Sequence, residues 1–136
     1  MTPQAARFLQ KAHRLLIEAE TMLHVGLNDA AGRTAYLAGF HAAQGFIFET
    51  TGRVFKSHKG VQTEFLRLTK DDGRVDSDFR AFLPRTYNLK SIADYDTDPG
   101  SDVSPESAAL AIASGKTFVA RIVQLLPPAP ATPEGR

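Results

Sequence analysis

The chain has 136 residues, 43% of them hydrophobic and 23% charged, with no cysteine and a net charge of +1. This suits one domain with one packed core, and it excludes a disulfide framework, a cysteine zinc site and a thiol nucleophile. No apolar run approaches the roughly 18 residues of a membrane helix, and the first residues lack the basic and apolar regions of a signal peptide, so a soluble, cytoplasmic protein is expected.

Five helices are predicted in chain order. The first spans about Thr2 to Val25, where Phe8, Leu9, Ala12, Leu15, Leu16, Ala19, Met22 and Leu23 recur at three- and four-residue steps. Thr2 is its expected cap, Pro3 its first helical residue and Gly26 its stop. The second spans about Asp29 to Thr51, with Asn28 as its expected cap and Gly52 as its end. Ala38, Gly39 and Gly45 within it predict close approach of a neighbouring helix. The third spans about Ser57 to Lys70 on Val61, Phe65, Leu66 and Leu68, and Asp71-Asp72-Gly73 then reads as a turn. The fourth spans about Asp76 to Tyr95, where Pro84 predicts a kink or a late start. Residues 96–103 read as a loop.

The fifth helix opens with Ser104 as cap and Pro105 at its first position, and runs to about Leu126. Residues 1–126 thus form one helical domain, and the Pro-rich tail 127–136 is expected to be disordered. Long helices joined by short loops favour an all-α, up-and-down antiparallel four-helix bundle with one additional helix.

Charge and chemistry gather in the middle of the chain. Residues 53–90 carry nine Lys/Arg against five Asp/Glu, while residues 91–136 carry three against six. The middle segment is either a basic face for an anion or an ordinary solvated helix surface. Arg53, Lys56, His58 and Lys59 fall close together. Histidine can act as base or acid near neutral pH, and the arginine fork matches phosphate. His58 could equally be a helix-start residue bonding locally near Ser57. Arg33, Leu37 and His41 share one broad helix face, but eight residues separate Arg33 from His41 by about 12 Å. They cannot touch, and would instead line a groove with the fourth helix. His41 could also be a satisfied core histidine. Lys90 and Asp94 are spaced to pair with each other, or Asp94 holds Arg33 or His41 across the bundle.

Asp94, Asp96 and Asp98 fail as a calcium loop, because prolines stand where glycine and the bidentate glutamate are required. No phosphate loop, His-Glu-x-x-His or Gly-x-Ser-x-Gly motif occurs. No motif implies a metal or a cofactor.

Three stretches, 33–43 (RTAYLAGFHAA), 56–61 (KSHKGV) and 87–96 (YNLKSIADYD), together resemble HEPN-domain proteins, in particular a small branch with a YxAxFHAA … THKG … RxxADY pattern. The resemblance covers roughly residues 5–126. It implies a four-helix bundle with a short extra helix, usually a homodimer. It also implies an RNA-targeting, metal-independent ribonuclease of a prokaryotic toxin–antitoxin or defence system, often partnered by a minimal nucleotidyltransferase antitoxin. Nuclease members carry Arg, four to six residues, then His near a late helix. Here the late stretch has Lys90 and Asp94 in place of arginine and histidine.

The spacing instead recurs at Arg53 and His58, the expected catalytic pair. Arg33, Tyr36, His41, Lys59, Lys90, Asp94 and Tyr95 are the expected RNA- or nucleotide-binding residues. In some family toxins a tyrosine beside the motif receives a nucleotide from the antitoxin, and Tyr95 directly follows Asp94. The alternative to an enzyme is a non-catalytic module that binds nucleotide, RNA or a nucleotidyltransferase through the same groove, and a third reading is a dimerising scaffold.

Overall fold

The computed structural model of the protein describes residues 1–128; most of the tail expected to be disordered lies outside them. The described residues contain α1 (Pro3–His24), α2 (Asn28–Thr51), α3 (His58–Thr69), α4 (Ser77–Tyr95) and α5 (Pro105–Leu125), and no strand.

Helix ends follow local chemistry. The Thr2 hydroxyl accepts from the Ala5 N–H, Ser57 from Gly60, Asp76 from Phe79 and Ser104 from Ser107, so four helices begin on a side-chain cap. Gly52 closes α2 in the left-handed region at φ 75°, where a side chain would strain the backbone. Asn28 does not cap α2. The chain turns so tightly after α1 that the Leu27 N–H reaches the Met22 carbonyl, and Leu27 takes the cap position without a side-chain bond. The next residue, Asp29, instead accepts from the Val103 N–H at 2.7 Å and pins the loop before α5. The α4 helix runs unbroken through Pro84.

Four long helices make an antiparallel, up-and-down bundle. Thr34 of α2 donates to the Met22 sulfur of α1, while at the other end Gly45 faces Leu9 and Phe8. Gly32 faces Leu89 of α4 and Gly39 faces Phe82, so α4 also runs against α2. The short α3 is the additional helix, packed on α2 and α4.

The α2 helix is the hub and touches every other helix. It buries residues around its whole circumference, from Ala31 to Ile47, as a central helix must. Its glycines set the packing distance. A Cβ at Gly39 would collide with the Phe82 ring, and one at Gly45 would come within 2.7 Å of Leu9 Cδ2.

The α5 helix departs from the sequence expectation. At 21 residues, with a mean hydropathy of 1.3 over its most apolar window, it is long and apolar enough to cross a membrane by length and composition. In the fold, Ala108, Ala111, Ile112, Gly115, Phe118, Val119 and Ile122 are buried in the bundle. Phe118 stacks on Phe82 with ring centroids 4.6 Å apart, and on Phe79 at 4.9 Å. Such pairs contribute about 0.5–1.5 kcal/mol beyond the area they bury.

Candidate functional site

Three helices converge on one polar face. From α2 come Arg33 and Tyr36, one turn apart. From the start of α3 comes His58. From α4 come Tyr87, Lys90 and Asp94, spaced three and four residues apart on one helix face.

Asp94 is the electrostatic centre. Arg33 Nε donates to its Oδ1 at 2.7 Å and Lys90 Nζ to its Oδ2 at 2.6 Å. The local and the cross-bundle partnerships considered for Asp94 therefore coexist. Hydrogen bonds from Lys90 and then Arg33 hold the Asp94 carboxyl below its ordinary range, and the same Lys90–Asp94 bond holds the Lys90 ammonium above its own. Lys90 is only 7% exposed, so removing Asp94 would leave a desolvated charge unpaired. Two cations share one carboxylate, which leaves a positive excess on this face.

His58 sits beside that excess. Its Nδ1 lies 2.9 Å from the Tyr36 hydroxyl, which also receives the Gln62 amide at 3.4 Å. Its ring lies 4.7 Å from that of Phe40 and 5.5 Å from that of Tyr87. Burial, then the charges of Lys90 and Arg33, push the His58 pKa below its usual value, and Asp94 only partly opposes them. The ring is therefore neutral near pH 7. Tyr36 is fully buried, and burial pushes its hydroxyl up to about 12, so it remains a proton carrier. Helix α3 begins at His58, so the positive end of its dipole lies at this residue.

His41 occupies an adjoining position. Its Nδ1 meets Gln44 Oε1 at 2.7 Å, and Gln44 Nε2 donates to the Phe55 carbonyl at 2.8 Å. Burial lowers the His41 pKa, and Lys11, His58 and Arg14 lower it further against the opposing Gln44 bond. The ring packs edge-on to Phe40 at 5.4 Å.

The other expected residues fall at the margins. Arg53 is exposed, with its guanidinium 5.2 Å over the Phe55 ring. Among the described residues no hydrogen bond or ion pair joins it to His58; the cations whose charges act on His58 are Lys90 and Arg33. Lys59 is exposed in the first turn of α3. Tyr95 ends α4 at 71% exposure, with Lys90 Nζ 5.5 Å over its ring.

Sequence reasoning missed Tyr87, Gln62 and Gln44. Tyr87 carried a usable signal, because it shares the α4 face of Lys90 and Asp94. The two glutamines carried none: their role comes from which carbonyl or hydroxyl the fold sets opposite them.

The helical bundle thus gathers a histidine, two cations and two tyrosines on one face, and guanidinium and ammonium groups of this kind are chemically matched to phosphate. Residues 5–125 match the HEPN domain, and the chain belongs to that family. A UPF0332 protein from Archaeoglobus fulgidus is 31% identical over 87 residues, covering 64% of this chain and 68% of the relative. A protein from Methanocaldococcus jannaschii bearing the name "putative toxin" is 33% identical over 98 residues, covering 72% of this chain and 69% of the relative.

Proposed function

We propose that this HEPN protein is toxin-like and targets RNA, cleaving it without a metal ion at the face built by Arg33, Tyr36, His58, Lys90 and Asp94. The observation that carries this reading is the position of His58 beside two cations that share a single carboxylate. A backbone phosphate on this face would meet the Arg33 fork and His58 Nε2, which no protein group among the described residues bonds, with the largely buried Lys90 ammonium adding its charge behind them. These groups would stabilise the charge that develops on phosphoryl oxygens during transfer. Arg33 and Lys90 take the cationic role expected of Arg53.

The test is cleavage of a mixed RNA substrate by the purified protein in EDTA. Cleavage that disappears in His58→Ala and in Arg33→Ala, with the fold intact, is the expected result. No cleavage by the folded wild type would overturn the nuclease reading.

One observation favours a second reading. Tyr95 is exposed at the end of α4, beside Lys90, where a partner enzyme could reach it. A non-catalytic module paired with a minimal nucleotidyltransferase, and acting as a homodimer, would use the same face. Retention of a nucleotidyltransferase in pull-down, together with an absence of RNA cleavage, would select it.

A further inference from the structure

His41 and His58 flank the same Phe40 ring, with centroids 5.4 and 4.7 Å from it. Their hydrogen bonds set their protons in opposite ways. At His41 the reasoning starts from the backbone. The Phe55 carbonyl can only accept, so the Gln44 amide nitrogen must face it. Gln44 is 6% exposed and held between two partners, so its oxygen must face His41 Nδ1. An amide oxygen can only accept, hence His41 Nδ1 carries the proton and Nε2 of the neutral ring is bare.

At His58 the reasoning starts from Tyr36. Its buried hydroxyl receives the Gln62 amide N–H and must place its own proton on an acceptor. His58 Nδ1 at 2.9 Å is that acceptor. The neutral His58 ring therefore carries its proton on Nε2. Among the described residues no protein group bonds Nε2 of either ring.

We infer that the two histidines form an opposed pair, in which His58 offers an N–H to a phosphate oxygen and His41 offers a lone pair to a neighbouring ribose hydroxyl, so that His41, positioned by Gln44, selects RNA over DNA. The inference rests on the reading of the face as RNA-binding and adds the group that reads the sugar. Arg33, Lys90 and His58 are donors toward the ligand, and the one carboxylate among them, Asp94, already accepts from Arg33 and Lys90; donors alone bind the phosphate of either nucleic acid. The 2′-hydroxyl is what distinguishes RNA, and a donor hydroxyl beside a phosphate needs an acceptor. His41 Nε2 supplies it. Gln44 is a positioning residue: through Phe55 it also ties α2 to the connection that delivers His58.

Two measurements test the pair. The first uses 15N-labelled protein at neutral pH and reads the ring-nitrogen shifts, with His41→Ala and His58→Gln assigning the signals. The expected spectrum has His41 protonated on Nδ1 and His58 on Nε2; the reverse tautomer at either ring overturns the inference, whatever the protein binds.

The second compares binding of one oligonucleotide sequence as RNA and as 2′-deoxy DNA, in EDTA, using His58→Gln as the background so that the RNA stays whole. RNA is expected to bind roughly tenfold tighter, the range of one net hydrogen bond. His41→Ala is expected to remove that preference by weakening RNA binding more than DNA binding, and Gln44→Met, checked for melting, is expected to follow it. A preference that survives His41→Ala overturns the selective role. Failure of the wild type as well as of His58→Gln to bind either polymer overturns the RNA reading and the selectivity with it, while the ring spectrum still decides the tautomers on their own.

Discussion

The Tyr36 hydroxyl and His58 Nδ1 are 2.9 Å apart, joining a fully buried side chain of α2 to the first residue of α3. Tyr36→Phe keeps the ring contacts with Phe40, Tyr87 and His58 and deletes only the hydroxyl. His58 and Gln62 then lose a shared partner. The expected cost is about 1–2 kcal/mol, a fall of a few degrees in Tm for a domain of this size. On the proposed RNA-binding role of this face, affinity or cleavage is expected to fall on the order of tenfold, because the His58 ring is no longer held in one tautomer. Unchanged activity alongside lowered Tm would make the bond structural only.

Asp94→Asn separates charge from shape. The substitution leaves Lys90 buried with a neutral partner, and unfolding in urea should show a loss of about 1–3 kcal/mol. Asp94 is also the charge that raises the His58 pKa against Lys90 and Arg33. In Asp94→Asn the His58 pKa should fall further below its usual value, and in Lys90→Met it should move back toward it. Titration of the His58 ring by NMR checks both directions. No shift in either variant would show that burial alone controls the ring.

Much of the fold was legible in the sequence because it rests on local chemistry. The Thr2 and Ser104 caps, the glycine stop of α2 and the apolar stripe of α1 are set by residues within a few positions of one another. The failures came where a tertiary constraint decided. Asn28 is a good capping residue, but the tight exit from α1 displaced the cap to Leu27 and gave Asp29 a distant partner in Val103. At the site, the i, i+4 pair Lys90–Asp94 was readable, and its link to Arg33 was one of two open options. Arg53 and His58 matched by spacing, yet the chain between them leaves α2, and the guanidinium settles over Phe55. Spacing along an extended connection says little about contact.

Acid should weaken the fold in two stages. The His41 and His58 pKa values are lower in the folded state than the ordinary 6.5. The unfolded chain therefore takes up protons first as pH falls past that value, and stability present above it is lost as pH drops through the folded values. Asp94, held below 3.8, acts in the same sense at lower pH. Urea unfolding followed from pH 7.5 to 4.5 should show the first decline, reduced in a His41→Ala, His58→Gln double variant. Equal slopes for wild type and double variant would assign the acid sensitivity elsewhere.

Alkali acts on a different group. Folded Tyr36 ionises at about 12, against 10.0 for an ordinary tyrosine. Its contribution is complete below pH 10 and is lost as pH rises from about 10 toward 12, because the unfolded tyrosine ionises first. Unfolding free energy should decline across that window, and less steeply in Tyr36→Phe. Absorbance of tyrosinate should show one of the three tyrosines ionising last, and that late step should be missing from Tyr36→Phe.

The approach of α4 to α2, on which the whole face depends, is set by Gly39. An added Cβ there meets the Phe82 ring, and Phe82 is itself stacked on Phe118. The ring cannot retreat without disturbing α5, so Gly39→Ala should cost about 1–3 kcal/mol as overpacking. It should also shift α4 against α2, lengthening the Arg33–Asp94 contact and, on the proposed role of the face, lowering RNA affinity without altering any polar side chain. Gly73 is the control, since a Cβ there meets nothing within 4 Å and its φ lies outside the left-handed region. Gly73→Ala should leave stability unchanged or raise it by a few tenths of a kcal/mol through the unfolded chain. Equal melting temperatures for the two variants would show that Phe82 has room to move, and that the spacing of α2 and α4 is set by other contacts.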